Sequence, residues 1–167
     1  REACLATDSF VQEPCNFDVR RRRLTNRVAC VNGSLPRIVP ADPAEPRSVE
    51  ALTAYAGEVR EAAGLTALEP RSAVSDIDGF APPDGCFLLA LAGGDAVGCV
   101  GLQRVGPDAA EIKRMWVKPE HRGSGLSNRL LDEVEAQARD LGYSRLLLDT
   151  HRALTAAVRF YERHGYV

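Results

Sequence analysis

The sequence predicts an α/β (α+β) fold with a mixed central sheet, in which an antiparallel meander is followed by a βαβα half. Three observations predict it. Short apolar runs between residues 86 and 117 are separated by turn signals and read as strands hairpinned in series. A glycine-bearing segment, Arg122-Gly123-Ser124-Gly125, joins the last of these runs to a pattern of helical period. A further apolar run over residues 145–150 then precedes another helical stretch.

Taken in order, residues 1–36 show no sustained period at 2 or 3.6 and carry six Arg against four acids, with Arg20, Arg21, Arg22 and Arg23 consecutive. They read as an N-terminal extension, poorly structured and solvated, outside a domain spanning 37–167. The core begins near Arg37-Ile38-Val39-Pro40, and a helix is expected over 47–63, with Val49, Leu52, Tyr55, Ala56 and Val59 on one face. Residues 65–85, rich in proline and aspartate, read as short helix plus loop. The runs 86–91 and 96–102 flank Ala92-Gly93-Gly94-Asp95, a hairpin signal, and a third run follows Gly106-Pro107-Asp108. Leu126, Leu130, Val134, Ala138 and Leu141 then recur at helical spacing, closed by Gly142. The run 145–150 carries Leu146, Leu147 and Leu148 in succession, as a buried parallel strand requires, and the last helix covers 155–164.

The chemistry concentrates between strand and helix. Gly123 and Gly125 permit a tight turn that points several amide N–H groups at one spot, and that spot opens a helix. The first four amides of a helix lack internal partners and sit at the positive end of its dipole, so an anion such as a phosphate is stabilised there. A nucleoside-triphosphate loop needs Lys and then Ser or Thr after its last Gly, where this chain has Leu126 and Ser127. A dinucleotide fingerprint needs Gly or Ala where it has Asn128.

The remaining pattern, Val117-x-Pro119-x-x-Arg122-Gly123-x-Gly125, resembles the pyrophosphate loop of the GNAT superfamily of acetyl-CoA-dependent N-acyltransferases. Ser127 departs by one hydroxyl from the Ala which that loop allows. The order of meander, loop, helix, strand and helix resembles the GNAT core over about 80 residues. The resemblance implies that acetyl-CoA is the co-substrate, held by Met115, Trp116, Val117, Arg122, Gly123, Ser124, Gly125, Leu126 and Ser127. Among these, the Val117 backbone faces the pantetheine arm, and Met115 and Trp116 pack near the thioester. It also implies that the helix over 47–63 borders the acceptor pocket. Where relatives often carry Asn three residues before the Ala of the last helix, this chain has Leu154 before Ala157.

An amine acceptor is an ammonium near neutral pH, with an ordinary pKa of roughly 10.4, and has no lone pair with which to attack a thioester. A base is therefore required. Glu111 lies six residues before Val117, a spacing that matches the general base of some family members, acting directly or through water. An ordinary ion pair with Lys113 or Arg114 is the alternative use of that carboxylate. The leaving sulfur needs a proton or a hydrogen bond. Tyr161 sits in A-x-x-F-Y-x-x-x-G-Y, similar to the family motif whose Tyr supplies it.

Function therefore reads as transfer of an acetyl group from acetyl-CoA to a primary amine of a small molecule or peptide. A GNAT-fold module that binds CoA as a sensor, without transfer, is the alternative. Five cysteines without C-x-x-C spacing indicate neither zinc nor a disulfide framework, and His121, His151 and His164 have no metal-ligand spacing, so no metal is expected. A net charge of −2 argues against nucleic acid as a partner of the domain body. No run reaches the ~20 apolar residues of a membrane span. With no secretory leader pattern, a cytoplasmic location is the default. The chain stops at Val167, where the family's sixth strand normally begins, so its C-terminal strands read as truncated. The strand over 145–150 is then expected to present an open edge, which a partner subunit, as in a homodimer, would cover.

Overall fold

The structure, a computed structural model, describes residues 15–18, 35–64, 76–150 and 153–166. The four consecutive arginines and His151 lie outside the described residues. In chain order the elements are β1 (Cys15–Asp18), β2 (Arg37–Pro40), α1 (Pro46–Ala63), a 3-10 turn (Ile77–Phe80), β3 (Cys86–Ala92), β4 (Asp95–Arg104), β5 (Ala109–Val117), a second 3-10 turn (Pro119–His121), α2 (Leu126–Asp140), β6 (Arg145–Leu148) and α3 (Thr155–Arg163). They build one sheet in the order β1-β6-β5-β4-β3-β2, antiparallel except for the parallel pair β5 and β6.

Local chemistry explains the joints. Gly93 and Gly94 have φ of 60° and 97°, the two positive values a two-residue hairpin turn requires, and Ala92 faces Asp95 across it. Pro46 sits at the start of α1, where a missing N–H costs nothing, and Gly64 ends that helix at φ 64° with its N–H on the Glu61 carbonyl.

Two clusters cover the sheet. On one face α2 lays Leu126, Leu130, Leu131, Val134 and Ala138 against Leu102, Ala110, Ile112, Leu146 and Leu148. Each such fully buried leucine contributes about 2 kcal/mol from apolar area removed from water. Leu141, counted in the helical stripe from sequence, falls past the last turn and is exposed. On the other face Ala51 and Leu52 of α1 meet Phe80, Phe87, Leu89 and Cys99. Phe80 reaches this layer because Gly101 has no side chain; a Cβ there would lie 2.6 Å from the ring. Tyr166 is buried against α2 and donates its hydroxyl to Glu135 (3.0 Å).

One expectation is corrected at the edge of the sheet. The outer edge of β6 is not open: β1 pairs with it antiparallel, from Cys15 opposite Leu148 to Asp18 opposite Arg145. An exposed row of amides and carbonyls gains partners from any extended segment within reach, whatever its side chains. The sequence Cys-Asn-Phe-Asp shows too little alternation to announce that role. The strand itself stops at Leu148, two residues short of the expected 145–150, where it parts from β5.

Candidate active site

The site begins where two parallel strands separate. Pairing of β5 with β6 runs only from Ala109 opposite Arg145 to Ile112 opposite Leu148, whereas β4 follows β5 to Gly98 opposite Val117. Over residues 113–117 the β6-facing edge of β5 therefore has no strand partner among the described residues. The parting coincides with a break of register between β4 and β5. There Arg114 adopts φ 57°, a left-handed backbone that costs about 1–2 kcal/mol for a residue with a side chain. Its carbonyl accepts the Cys99 thiol (3.2 Å), and its guanidinium lies 5.8 Å over the Tyr55 ring.

A cleft of about 510 Å³ opens at this point, within the size range of small-molecule sites. Met115, Trp116 and Val117 of β5 form its floor; Arg122, Gly123 and Ser127 close one end, and Tyr55, Glu58 and Val59 of α1 face Phe160 and Tyr161 of α3. Charged contacts tie α1 to the floor. Trp116 Nε1 donates to Glu58 Oε2 (2.9 Å), Arg122 Nη2 reaches both Glu58 oxygens (2.6 and 2.5 Å), and Arg122 Nε donates to the Val117 carbonyl (3.0 Å).

The loop at the end of β5 carries the anion-binding features. Gly123 and Gly125 have φ of 73° and 86°, and Gly125 opens α2 with no side-chain cap. The first-turn amides of α2 thus face outward at the positive end of a 15-residue helix. Ser124 turns its hydroxyl inward to the His121 carbonyl (2.6 Å), and Leu126 is buried in the α2 core. A strand edge with no strand partner among the described residues, first-turn amides without a side-chain cap and a bare glycine turn fit a ligand with an amide-bearing arm and a diphosphate. Among the described residues no cluster of His, Cys, Asp and Glu is arranged to hold a metal ion.

Of the residues singled out from sequence, the cleft wall brings together Met115, Trp116, Val117, Arg122, Gly123, Ser127 and Tyr161; Ser124 and Gly125 adjoin it in the loop and Leu126 at the start of α2. Glu111 lies outside the wall, with its carboxylate 3.4 Å from Lys113 Nζ. Burial, and after it the neighbouring Tyr55, pushes the Tyr161 phenol far above its ordinary pKa, so it is a neutral donor. Tyr55 is itself raised by burial, with Arg114 acting in the opposite sense. Neither His121 nor His164 lines the cleft; His164 stacks on Phe160 at 4.3 Å. Sequence reasoning missed Glu58. A carboxylate one turn past Tyr55, beside Val59 on a face that reads apolar, was the available signal.

Comparison with known proteins bears on the family and the fold. Residues 50–166 match the family model of the acetyltransferase (GNAT) family. An IAA acetyltransferase of Azospirillum brasilense is 32% identical over 137 residues, covering 81% of this chain and 84% of that protein. An uncharacterized N-acetyltransferase of Schizosaccharomyces pombe is 40% identical over 89 residues, 52% of this chain, which spans only 55% of that protein's length. The crystal structure of an acetyltransferase from Streptococcus agalactiae shares the fold with a TM-score of 0.67 at 22% identity, covering 77% of this chain and 81% of that one. With the family model matching more than half its length, this chain belongs to the GNAT acetyltransferase family.

Proposed function

We propose that the protein is an N-acetyltransferase that moves the acetyl group of acetyl-CoA directly onto a primary amine of a small molecule or protein. The observation that carries this reading is the edge of β5 that has no strand partner among the described residues and ends in a glycine turn without a side-chain cap, with the half-buried phenol of Tyr161 in the same cleft. When bound, acetyl-CoA supplies an activated acetyl thioester. The backbone of Val117 and its neighbours pairs with the pantetheine arm as a missing strand would, and the amides from Gly123 to Ser127 with the Arg122 side chain hold the diphosphate. Tyr161 keeps its proton throughout the neutral range and donates to the departing sulfur. Glu111, held by Lys113 outside the cleft wall, takes the proton of the acceptor ammonium through water.

Release of free thiol from acetyl-CoA by the purified chain, across a panel of primary amines, tests the reading. Transfer to at least one amine is expected, and Tyr161→Phe lowers kcat about 10–100-fold with coenzyme affinity within about twofold. Calorimetric binding of coenzyme A with no thiol release for any amine replaces the enzyme by a coenzyme-binding module. No binding at all removes the site.

A further inference from the structure

Arg122, the cationic side chain of the glycine turn, already holds an anion. Its Nη2 lies 2.6 and 2.5 Å from the two oxygens of Glu58, on the opposite wall of the cleft. Glu58 is the one carboxylate among the described residues that line this cleft. Its Oε2 also accepts the Trp116 indole N–H at 2.9 Å, and Trp116 packs against the α1-side core.

We propose that Glu58 stands in for the coenzyme's diphosphate in the free protein, and that its carboxylate, once displaced from Arg122, anchors a second, non-reacting cation of the acceptor. The proposal rests on reading the cleft as a coenzyme A site and names the acceptor class for it: amines that carry another positive group.

Three steps lead there. The pair is exposed enough to exchange, with side chains 46% and 37% accessible for Arg122 and Glu58, and such pairs are weak. A diphosphate brings more charge to the same guanidinium and matches its fork, so it wins the exchange. Glu58 is then left beside added negative charge, yet the Trp116 indole keeps it in the wall instead of releasing it to solvent. A cation relieves that repulsion. An ammonium held there is kept protonated and cannot be the nucleophile, so the attacking nitrogen is a different amine of the same acceptor.

The test compares Glu58→Gln with the unaltered protein, using calorimetric titration of coenzyme A and acetyl transfer to putrescine and to butylamine. The amide keeps an acceptor for Trp116 and removes the competing charge. Coenzyme A should bind the variant about fivefold tighter. The KM for putrescine should rise about tenfold with kcat within about twofold, while the KM for butylamine stays within about twofold. A carboxylate that merely braces the loop gives the reverse sign, weaker coenzyme binding, and that result or an unchanged affinity overturns the proposal. So does an equal KM change for both amines. A second measurement needs no variant: putrescine should bind the unaltered protein about tenfold or more tightly with coenzyme A present than without it, and equal binding refutes the exchange. If the unaltered protein binds no coenzyme A, the reading of the cleft itself fails and the inference falls with it; the other failures leave that reading standing.

Discussion

The two halves of β5 come from one continuous strand and meet opposite surroundings. Residues 109–112 are hydrogen-bonded on both sides, with Ala110 wholly buried and Ile112 3% exposed against α2. Residues 113–117 keep β4 as their one strand neighbour among the described residues, pass through the left-handed Arg114 and end in Met115, Trp116 and Val117, which line the cleft. The difference teaches that this site is made by subtraction. Losing one neighbouring strand exposes a backbone edge that can pair with a ligand, and no special side chain is needed to create it.

The largest effect that sharpens this division is on stability. Ile112→Ala removes a side chain enclosed by α2, β4 and β6, and should cost about 3 kcal/mol in urea unfolding. Met115→Ala touches a half-buried residue of the cleft floor and should cost about 1 kcal/mol, with its main effect on coenzyme affinity. Equal losses from the two substitutions would mean that the open half is as much core as the closed one.

A smaller effect separates backbone strain from ligand binding at the far end of the strand. Gly125 and Gly94 both hold positive φ, 86° and 97°, so Gly→Ala at either should cost about 1 kcal/mol of stability. Only Gly125→Ala should also weaken coenzyme A binding, by about tenfold, because it alone shapes the amides that open α2. Should calorimetry give both variants the same affinity, the turn is a fold element and not a cradle.

Much of the frame around β5 was legible in the sequence. The hairpin at Gly93-Gly94, the glycine turn, and the period of Leu126, Leu130, Val134 and Ala138 are local signals, and each specifies its element without help from distant residues. What escaped depends on tertiary partners. Glu58 lies 64 residues from Arg122, and only the packing of α1 across the cleft brings them together. The seat of β1 on β6 rests on backbone pairing that almost any extended segment satisfies, so Cys15 to Asp18 carry no pattern that marks it. The left-handed turn at Arg114 was hidden for a similar reason. Nothing in Lys113-Arg114-Met115 resembles a bulge, and the conformation accompanies the register break between β4 and β5 just beyond the point where β6 departs.

The last test concerns the joint between the halves. Cys99 of β4 is wholly buried opposite Trp116, and its thiol donates to the carbonyl of Arg114, the residue at which β5 leaves register. Burial pushes that thiol from 9.0 up to about 12, with Arg114 pulling weakly the other way. The folded form therefore holds a proton that the unfolded chain gives up from about pH 9, so the unfolded state binds fewer protons and stability declines as pH rises. Below pH 9 this contribution is complete; it is lost progressively between pH 9 and about 12. By pH 10 the loss should reach about 1 kcal/mol. Cys86, pushed up to about 11, and the half-buried Tyr55 and Tyr161 add to the decline. Cys99→Ala isolates the share of the joint: it should lower stability at pH 8, yet fall less than the unaltered protein between pH 8 and pH 10. Urea curves at the two pH values that shift in parallel for both proteins would show that the thiol under the bulge does not govern its alkaline failure. A shallower decline in the variant would place the alkali-sensitive point of the molecule where β5 changes from core to cleft floor.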